Sequence, residues 1–414
     1  MLMASDGETG LLTRRTLLRG GAGAGAVAGL GGVGAWALYD PELPTAPEPD
    51  SGTWPLQRHG PGNTARNPNA DPPASPSVRS VDVPGRPQNV VVGGSTERYV
   101  LVGGWDGVSA HRPDGSVVWE ETADGPVVAV RPGTDIAYST QNFRSFALSD
   151  GESRWRTDRE GRSIVPISNG TLVPFIDGVG AFDSDGNRRY YLDPGGDQWA
   201  AGAAVADGVY LTDYASVVRL RPPRFLENLR GKPPSVAWRT RLESDVVGTP
   251  AVDDGEVYVP DESLEGYGAT GGVVSFTTDG SHRWSRSLGT RNHGLAVGPD
   301  RVYVSMEING VDGVDDRLYA LRRSDGSTAW TRADGGDYED PVVAGDTLLA
   351  AGNADDNTGV LRALTLDGEH RWTVELTDMP ASAEQGDERA VTGVAPVGDR
   401  VYAVSVDGRL HVLE

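Results

Sequence analysis

A short phrase recurs along this chain at intervals that few folds can accommodate. An apolar run turns on Asp-Gly, and three residues later a second run carries an aromatic ring. The fullest copy runs from Leu318 through Asp325-Gly326 to Trp330. The others are Asp114-Gly115 to Trp119, Asp150-Gly151 to Trp155, Asp185-Gly186 to Tyr190, Asp279-Gly280 to Trp284 and Asp367-Gly368 to Trp372. Two apolar runs joined by Asp-Gly predict a β-hairpin. Trp238 continues the series, with the stretch 221–234 in place of the tight turn. Successive aromatics at 119, 155, 190, 238, 284, 330 and 372 stand 36, 35, 48, 46, 46 and 42 residues apart.

Each interval holds four short apolar runs with β-branched residues and alternation such as Val302-Tyr303-Val304. Four strands per period of that length predict propeller blades. Seven units are complete. The remainder is split: 390–397, 400–405 and 409–413 supply three strands at the C-terminus, and 77–83 is an orphan strand near the N-terminus. Joining them gives an eighth blade made from both chain ends, which leaves no blade edge unpaired. The expected fold is therefore all-β, an eight-bladed propeller. The seven aromatics, one per complete blade, are expected to dock one blade on the next.

The phrase Ala320-Leu321, a turn ending in Gly326, three residues, then Trp330 resembles the docking repeat of the pyrroloquinoline-quinone-type (PQQ-like) propellers. Asp325 stands where that family usually has Thr. Ala147-Leu148 and Ala363-Leu364 fit with fewer residues before the turn. Trp54, Arg58, Asn63 and Thr64 resemble the segment that precedes the ring in such proteins. The resemblance covers about residues 54–414. It implies the eight-bladed fold, and it extends to quinoprotein dehydrogenases and to the propeller lipoprotein of bacterial outer-membrane assembly. Fold alone does not choose among such roles.

Acidic side chains outnumber basic ones by 59 to 37, and lysine occurs once, at Lys232. Acid excess with almost no lysine resembles proteins of salt-loving archaea. Molar salt cuts the Debye length to about 3 Å and screens the self-repulsion of such a chain. The charge argues against nucleic acid or anionic lipid as a partner. The chain has no cysteine, which excludes disulfides, thiolate metal sites and cysteine nucleophiles.

Arg14 and Arg15 precede a Gly/Ala-rich apolar stretch, 20–38, and resemble a twin-arginine export signal. Ala35-Trp36-Ala37 fits a signal-peptidase site, so cleavage is expected after Ala37. Retention of 20–38 as a membrane anchor is the alternative. The Pro- and acid-rich stretch 38–53 is expected to be an extended linker, with the propeller over 54–414. Asn169-Gly170-Thr171 is a glycosylation sequon and also a turn sequence.

Enlarged loops fall on one rim of the last blades. Their oxygen donors Glu262, Glu307, Asp312, Asp315, Asp316, Asp355 and Asp356 are candidate calcium ligands. No loop has the spacing of a known calcium motif, and solvated carboxylates are expected throughout so acidic a chain. No two histidines have zinc spacing, and no nucleophile elbow or phosphate loop is present. The function expected is that of an exported, non-catalytic binding or scaffold protein at the cell surface, without a cofactor, its protein or polymer partner unspecified. One alternative is a quinoprotein oxidoreductase using pyrroloquinoline quinone (PQQ) and Ca²⁺, for which Arg291, Arg389, Asp337 and Asp340 are the residues at hand. Another is a propeller that binds or cleaves polysaccharide, which needs two carboxylates about 5–9 Å apart.

Overall fold

The computed structural model describes residues 47–414 apart from 123–125, 168–169, 194–201, 214, 222–232, 243–244, 247, 263–269, 311–312, 334–336, 355–357 and 379–389. Arg14, Arg15, Ala37, the stretch 20–38, Asn169, Asp312, Asp355, Asp356 and Arg389 lie outside the described residues, as does the side chain of Asp315.

Eight antiparallel sheets follow one another around a ring. The blades span 87–121, 128–156, 165–192, 203–241, 251–289, 291–332, 339–378 and 391–413. Each is a four-stranded meander whose first strand faces the central channel. The eighth takes its outermost strand, Val78–Asp82, from the N-terminal side of the chain, paired antiparallel with Arg409–Leu413. Ser77 and Glu414 add two reciprocal backbone hydrogen bonds of 2.9 and 3.0 Å. The eight-bladed ring closed from both ends is thus observed.

The repeated phrase has a direct physical meaning. Each outer-strand tryptophan lies against the Asp-Gly turn of the following blade. Its indole Nε1 donates to a carbonyl there: Trp119 to Leu148 at 2.7 Å, Trp155 to Ser184 at 2.9 Å, Trp238 to Thr278 at 3.0 Å, Trp284 to Arg323 at 2.9 Å and Trp330 to Leu366 at 3.1 Å. The turn glycine covers the ring face. Gly326 has φ +67°, and a Cβ there would sit 2.5 Å from Trp284. Only glycine satisfies both the left-handed backbone and the close approach. The aspartate contributes separately: Asp325 Oδ1 accepts from the Ser327 amide at 2.8 Å and fixes the turn.

Two junctions depart from this pattern. Between the third and fourth blades the Asp-Gly turn is missing, and Tyr190 stands in place of tryptophan, packed among Val209, Leu211, Val218 and Leu220. At the closure, Trp372 has no covalent turn to meet, and its Nε1 donates to Pro73 at 2.8 Å. The eighth blade carries no tryptophan. There Tyr402 donates to the carbonyl of Pro113 at 3.1 Å, one residue before Asp114. Tyr303 uses the carbonyl before Asp367 in the same way, at 3.1 Å. Tyrosines on the second strands form a further series: Tyr138, Tyr210, Tyr258 and Tyr303 each pack on the tryptophan of their own blade.

The enlarged hairpin of the sixth blade is strand rather than loop. Arg301–Gly310 and Gly313–Arg322 stay paired to their tips, with Glu307 opposite Asp316. Alternating side chains on facing strands let the ladder continue where a loop was expected. Glu262 likewise ends the strand Glu256–Glu262.

Candidate functional site

The two mouths of the channel differ, because the segment 54–71 runs once around one of them. Its backbone carbonyls accept from the innermost strands in turn: Pro55 from Val130, Pro61 from Val205, Gly62 from Val252, Thr64 from Val297 and Ala65 from Val343, at 2.7–2.9 Å. Trp54 exchanges two such bonds with Val92. Asn67 Nδ2 reaches Pro396 at 3.0 Å, and the Asp71 amide reaches Gly398. Among the described residues the belt thus ties every blade but the third.

The six donors are all valines at one position near the end of the inner strand, next to the turn into the second strand. A strand that faces a channel has no neighbour on its inner side, so its last N–H needs a partner. The belt supplies it. Tight coiling is needed to meet successive blades. His59, Asn63 and Ala65 have φ of 70°, 58° and 51°, three of the five left-handed non-glycine residues described. The Trp54, Arg58, Asn63 and Thr64 segment, expected to precede the ring, thus runs inside its mouth. Thr53 is buried, and its hydroxyl donates to Asp50 at 2.8 Å, so the chain is held from about residue 50.

At the opposite mouth no described segment crosses the channel, and part of the wall is irregular. Four consecutive blades, the sixth, seventh, eighth and first, begin their inner strands with a β-bulge. The second, third and fourth pair their first and second strands without one, and in the fifth two short strands, Asp245–Val246 and Ala251–Asp253, share the second strand. The residues left over by the bulges are His293, Asp340 with Pro341, Thr392 and Gln88. A bulge re-aims a side chain, and bulges cluster beside functional sites. Here they lock neighbouring blades as well. Thr392 Oγ1 donates to Pro87 at 2.8 Å, and the carboxylate of Asp340 lies over Gly294, where a Cβ would be 2.1 Å from Oδ1.

A cleft opens between the belt and the seventh, eighth and first blades. Gln57 and Arg58 from the belt, Asn89, Asp340 and Thr392 are its polar lining, among Val, Ala and Pro side chains. Arg58 Nη1 and Asp340 Oδ1 are 3.0 Å apart. At the rim, Trp105 sits on the turn between the second and third strands of the first blade, 51% exposed. Its amide donates to Arg86 at 3.2 Å, next to the Pro87 that receives Thr392. Ile176 holds the same place in the third blade, 48% exposed.

Of the candidate calcium ligands, the structure brings together Glu307 and Asp316, with His293 between them. His293 Nε2 is 3.9 Å from Glu307 and 3.5 Å from Asp316. Glu262 belongs to the neighbouring blade. Among the described residues no three such side chains are grouped to hold a metal ion. Glu307 and Asp316 share one imidazole, an arrangement that differs from two carboxylates flanking open space for a sugar. The cleft itself has a volume of about 40 Å³, room for about three waters, and among the described residues no aromatic ring lines it.

Sequence reasoning missed Gln57 and Arg58 as channel-facing residues, and it missed Trp105. The signal for Trp105 was available: it follows the second strand of its blade, not the fourth, and so falls outside the docking series.

Comparison with known proteins supports a propeller of the PQQ-like type. Residues 269–414 match the family model described as outer membrane protein assembly factor BamB. The ring is similar to the crystal structure of BamB from Moraxella catarrhalis, at 18% identity over 82% of this chain and 98% of that one, with a TM-score of 0.58. It is also similar to Sqt1 of Saccharomyces cerevisiae, at 9% identity over 81% and 97%, with a TM-score of 0.59. At these identities the likeness speaks for the fold. No curated protein matches the chain in sequence.

Proposed function

We propose that this chain is an exported, non-catalytic propeller that binds a protein partner at the cell surface through its open mouth. The observation that carries the reading is the difference between the two mouths among the described residues: a belt floors one, while bulges at the other turn His293, Asp340, Thr392 and Gln88 out of the ladder. An exposed tryptophan on that rim adds the side chain most typical of binding hot spots. The family description, an assembly factor for membrane proteins, favours protein over polymer.

Photo-crosslinking tests the face. A photoreactive residue at Trp105 should capture a discrete partner in cells. The same residue at Asp150, on a docking turn of the floored rim, should not. Equal capture at both positions, or none at Trp105, counts against the reading. Export is tested separately by replacing Arg14 and Arg15 with Lys: the protein should then stay inside the cell, and normal secretion would refute the twin-arginine signal.

A further inference from the structure

We infer that the cleft over Asp340 receives a cationic side chain, lysine or arginine, from the partner. The inference rests on the proposed binding role of the open mouth and names what that mouth selects. Among the described residues Arg58 and Asp340 are the charged ones lining the cleft, and they face each other at 3.0 Å. They are not equally accessible. The Asp340 side chain is 42% exposed and that of Arg58 17%. A group entering from the mouth therefore meets carboxylate first and finds the guanidinium behind it.

The carboxylate is also the better held of the two. Its backbone belongs to a bulged inner strand, followed at once by Pro341, and the carboxylate rests on Gly294 of the preceding blade. Arg58 arrives on a long side chain from the belt. An incoming cation can share or take over Asp340 while Arg58 shifts, whereas an incoming anion must approach Arg58 past Asp340. Like charges brought together in a narrow cleft repel, so the arrangement selects against anions.

The size agrees. About 40 Å³ is on the scale of one side-chain head group. Gln57 offers a side-chain oxygen to it, while Asn89 Oδ1 already accepts from the Val128 amide at 3.1 Å and the Thr392 hydroxyl donates to Pro87 and keeps lone pairs to accept with. Outside the cleft the acidic chain draws cations toward the mouth. The stem of the entering side chain would pass the Arg86-Pro87 connection, which ties Thr392 on one side and the Trp105 turn on the other.

Titration with acetyl-Gly-Arg-Gly-amide, acetyl-Gly-Lys-Gly-amide and acetyl-Gly-Glu-Gly-amide, followed by NMR on the full-length protein, tests this. The two cationic peptides should bind and the Glu peptide should not. Asp340→Asn, nearly isosteric, should weaken the Arg peptide by about tenfold, the loss of one charge-assisted bond. Arg58→Gln should strengthen it several-fold, because it removes the internal competitor. If Arg58→Gln does not fold, Arg58→Lys, a weaker competitor, should still bind the Arg peptide more tightly than the parent. Binding of the Glu peptide in preference, no binding of either cation, or affinity indifferent to Asp340→Asn overturns the inference. Cationic peptides that bind while no partner crosslinks at Trp105 would keep the cleft assignment and sink the proposed partner face.

Discussion

The ring of Trp284 is capped face-on by Gly326, a residue one blade further round the propeller. The pair joins two demands in one position: a left-handed backbone, and van der Waals contact between an α-carbon and an indole. Gly326→Ala should therefore cost more than either alone. A left-handed alanine costs about 1–2 kcal/mol, and displacement of the packed ring brings the total to the order of 2–4 kcal/mol. Trp330→Ala, which empties the equivalent contact one blade on, should cost about 3–5 kcal/mol. Urea denaturation of both variants measures these costs.

Ring closure depends on a strand that is not covalently continuous with its blade. Deleting the chain through Glu48 should leave stability unchanged, because the described hydrogen bonds of this segment begin at Asp50, which accepts from Thr53. Deletion through Val83 removes the belt and the closing strand together. It strips Val92, Val130, Val205, Val252, Val297 and Val343 of their acceptors and bares the edge of Arg409–Leu413. That chain should aggregate. Equal solubility of the two truncations in sedimentation would refute the roles given to belt and strand.

Much of this architecture is legible in the sequence because one contact repeats. The Asp-Gly-x-x-x-Trp phrase encodes both partners of a blade junction, so counting it counts blades. Even the exception was encoded, since Tyr190 precedes the one blade whose turn is replaced by an insertion. The belt was not legible. Its bonds come from backbone carbonyls of Pro55, Pro61, Gly62, Thr64 and Ala65, and a carbonyl carries no side-chain signal. The second-strand tyrosines were visible as Ala137-Tyr138 and three Val-Tyr pairs but read only as alternation. At the open mouth the difficulty is of another kind. A bulge moves one residue across the pleat, so period-two reasoning assigns His293 and Thr392 without seeing that they leave the ladder.

Acid should weaken the fold before its carboxylates titrate. His59 and His411 are buried, and burial pulls both down from 6.5 to about 4. Burial lowers His111 in the same direction. His411 sits at the closure, with Nδ1 2.8 Å from Ser80 of the closing strand and Nε2 2.7 Å from Ser405. Asp407 favours its protonation and Arg409 opposes it. The folded-state values lie below the unfolded one, so the unfolded chain takes up protons first as pH falls. Stability should be full above about 6.5 and decline toward 4, by up to about 3 kcal/mol for each of His59 and His411. Urea midpoints between pH 7.5 and 4.5 follow the decline, and His411→Asn should flatten it. A midpoint constant through that window would contradict the burial of these rings.

Salt should act in the opposite sense to its usual weakening of ion pairs. Residues 1–37 hold two acidic and three basic side chains, which leaves 57 acidic and 34 basic over 38–414, a net of −23. Described pairs such as Arg323 with Asp253 at 2.7 Å and with Glu256 at 3.2 Å are screened by salt, but so is the larger surplus of like charge. Surface pairs contribute little each, so relief of repulsion should dominate. The melting temperature by circular dichroism should rise between about 0.1 and 3 M KCl. A flat or falling curve would count against adaptation to high salt.

The quinoprotein alternative makes three demands of the open mouth, and the described residues meet none of them well. A quinone needs a flat ring to stack on. The tryptophans of the docking series face the next blade, Trp54 is buried in the belt, and Trp105 stands on a turn between second and third strands rather than on a channel-facing first strand. It needs cations for its carboxylates. Arg58 is engaged with Asp340, and Arg291 lies exposed at the first position of the sixth blade's inner strand, Arg291–Val297. It needs a metal at its carbonyl edge. Asp337 instead accepts from Asn353 Nδ2 at 3.2 Å, and Asp340 faces a guanidinium. Protein refolded with PQQ and Ca²⁺ should accordingly show no dye-linked oxidation of alcohols or sugars. Hard carboxylate oxygens can still take up Ca²⁺ without redox chemistry, so calcium binding alone would not revive the alternative. Quinone retained in stoichiometric amount through gel filtration, with turnover lost on Asp337→Ala, would replace the binding role with an enzymatic one.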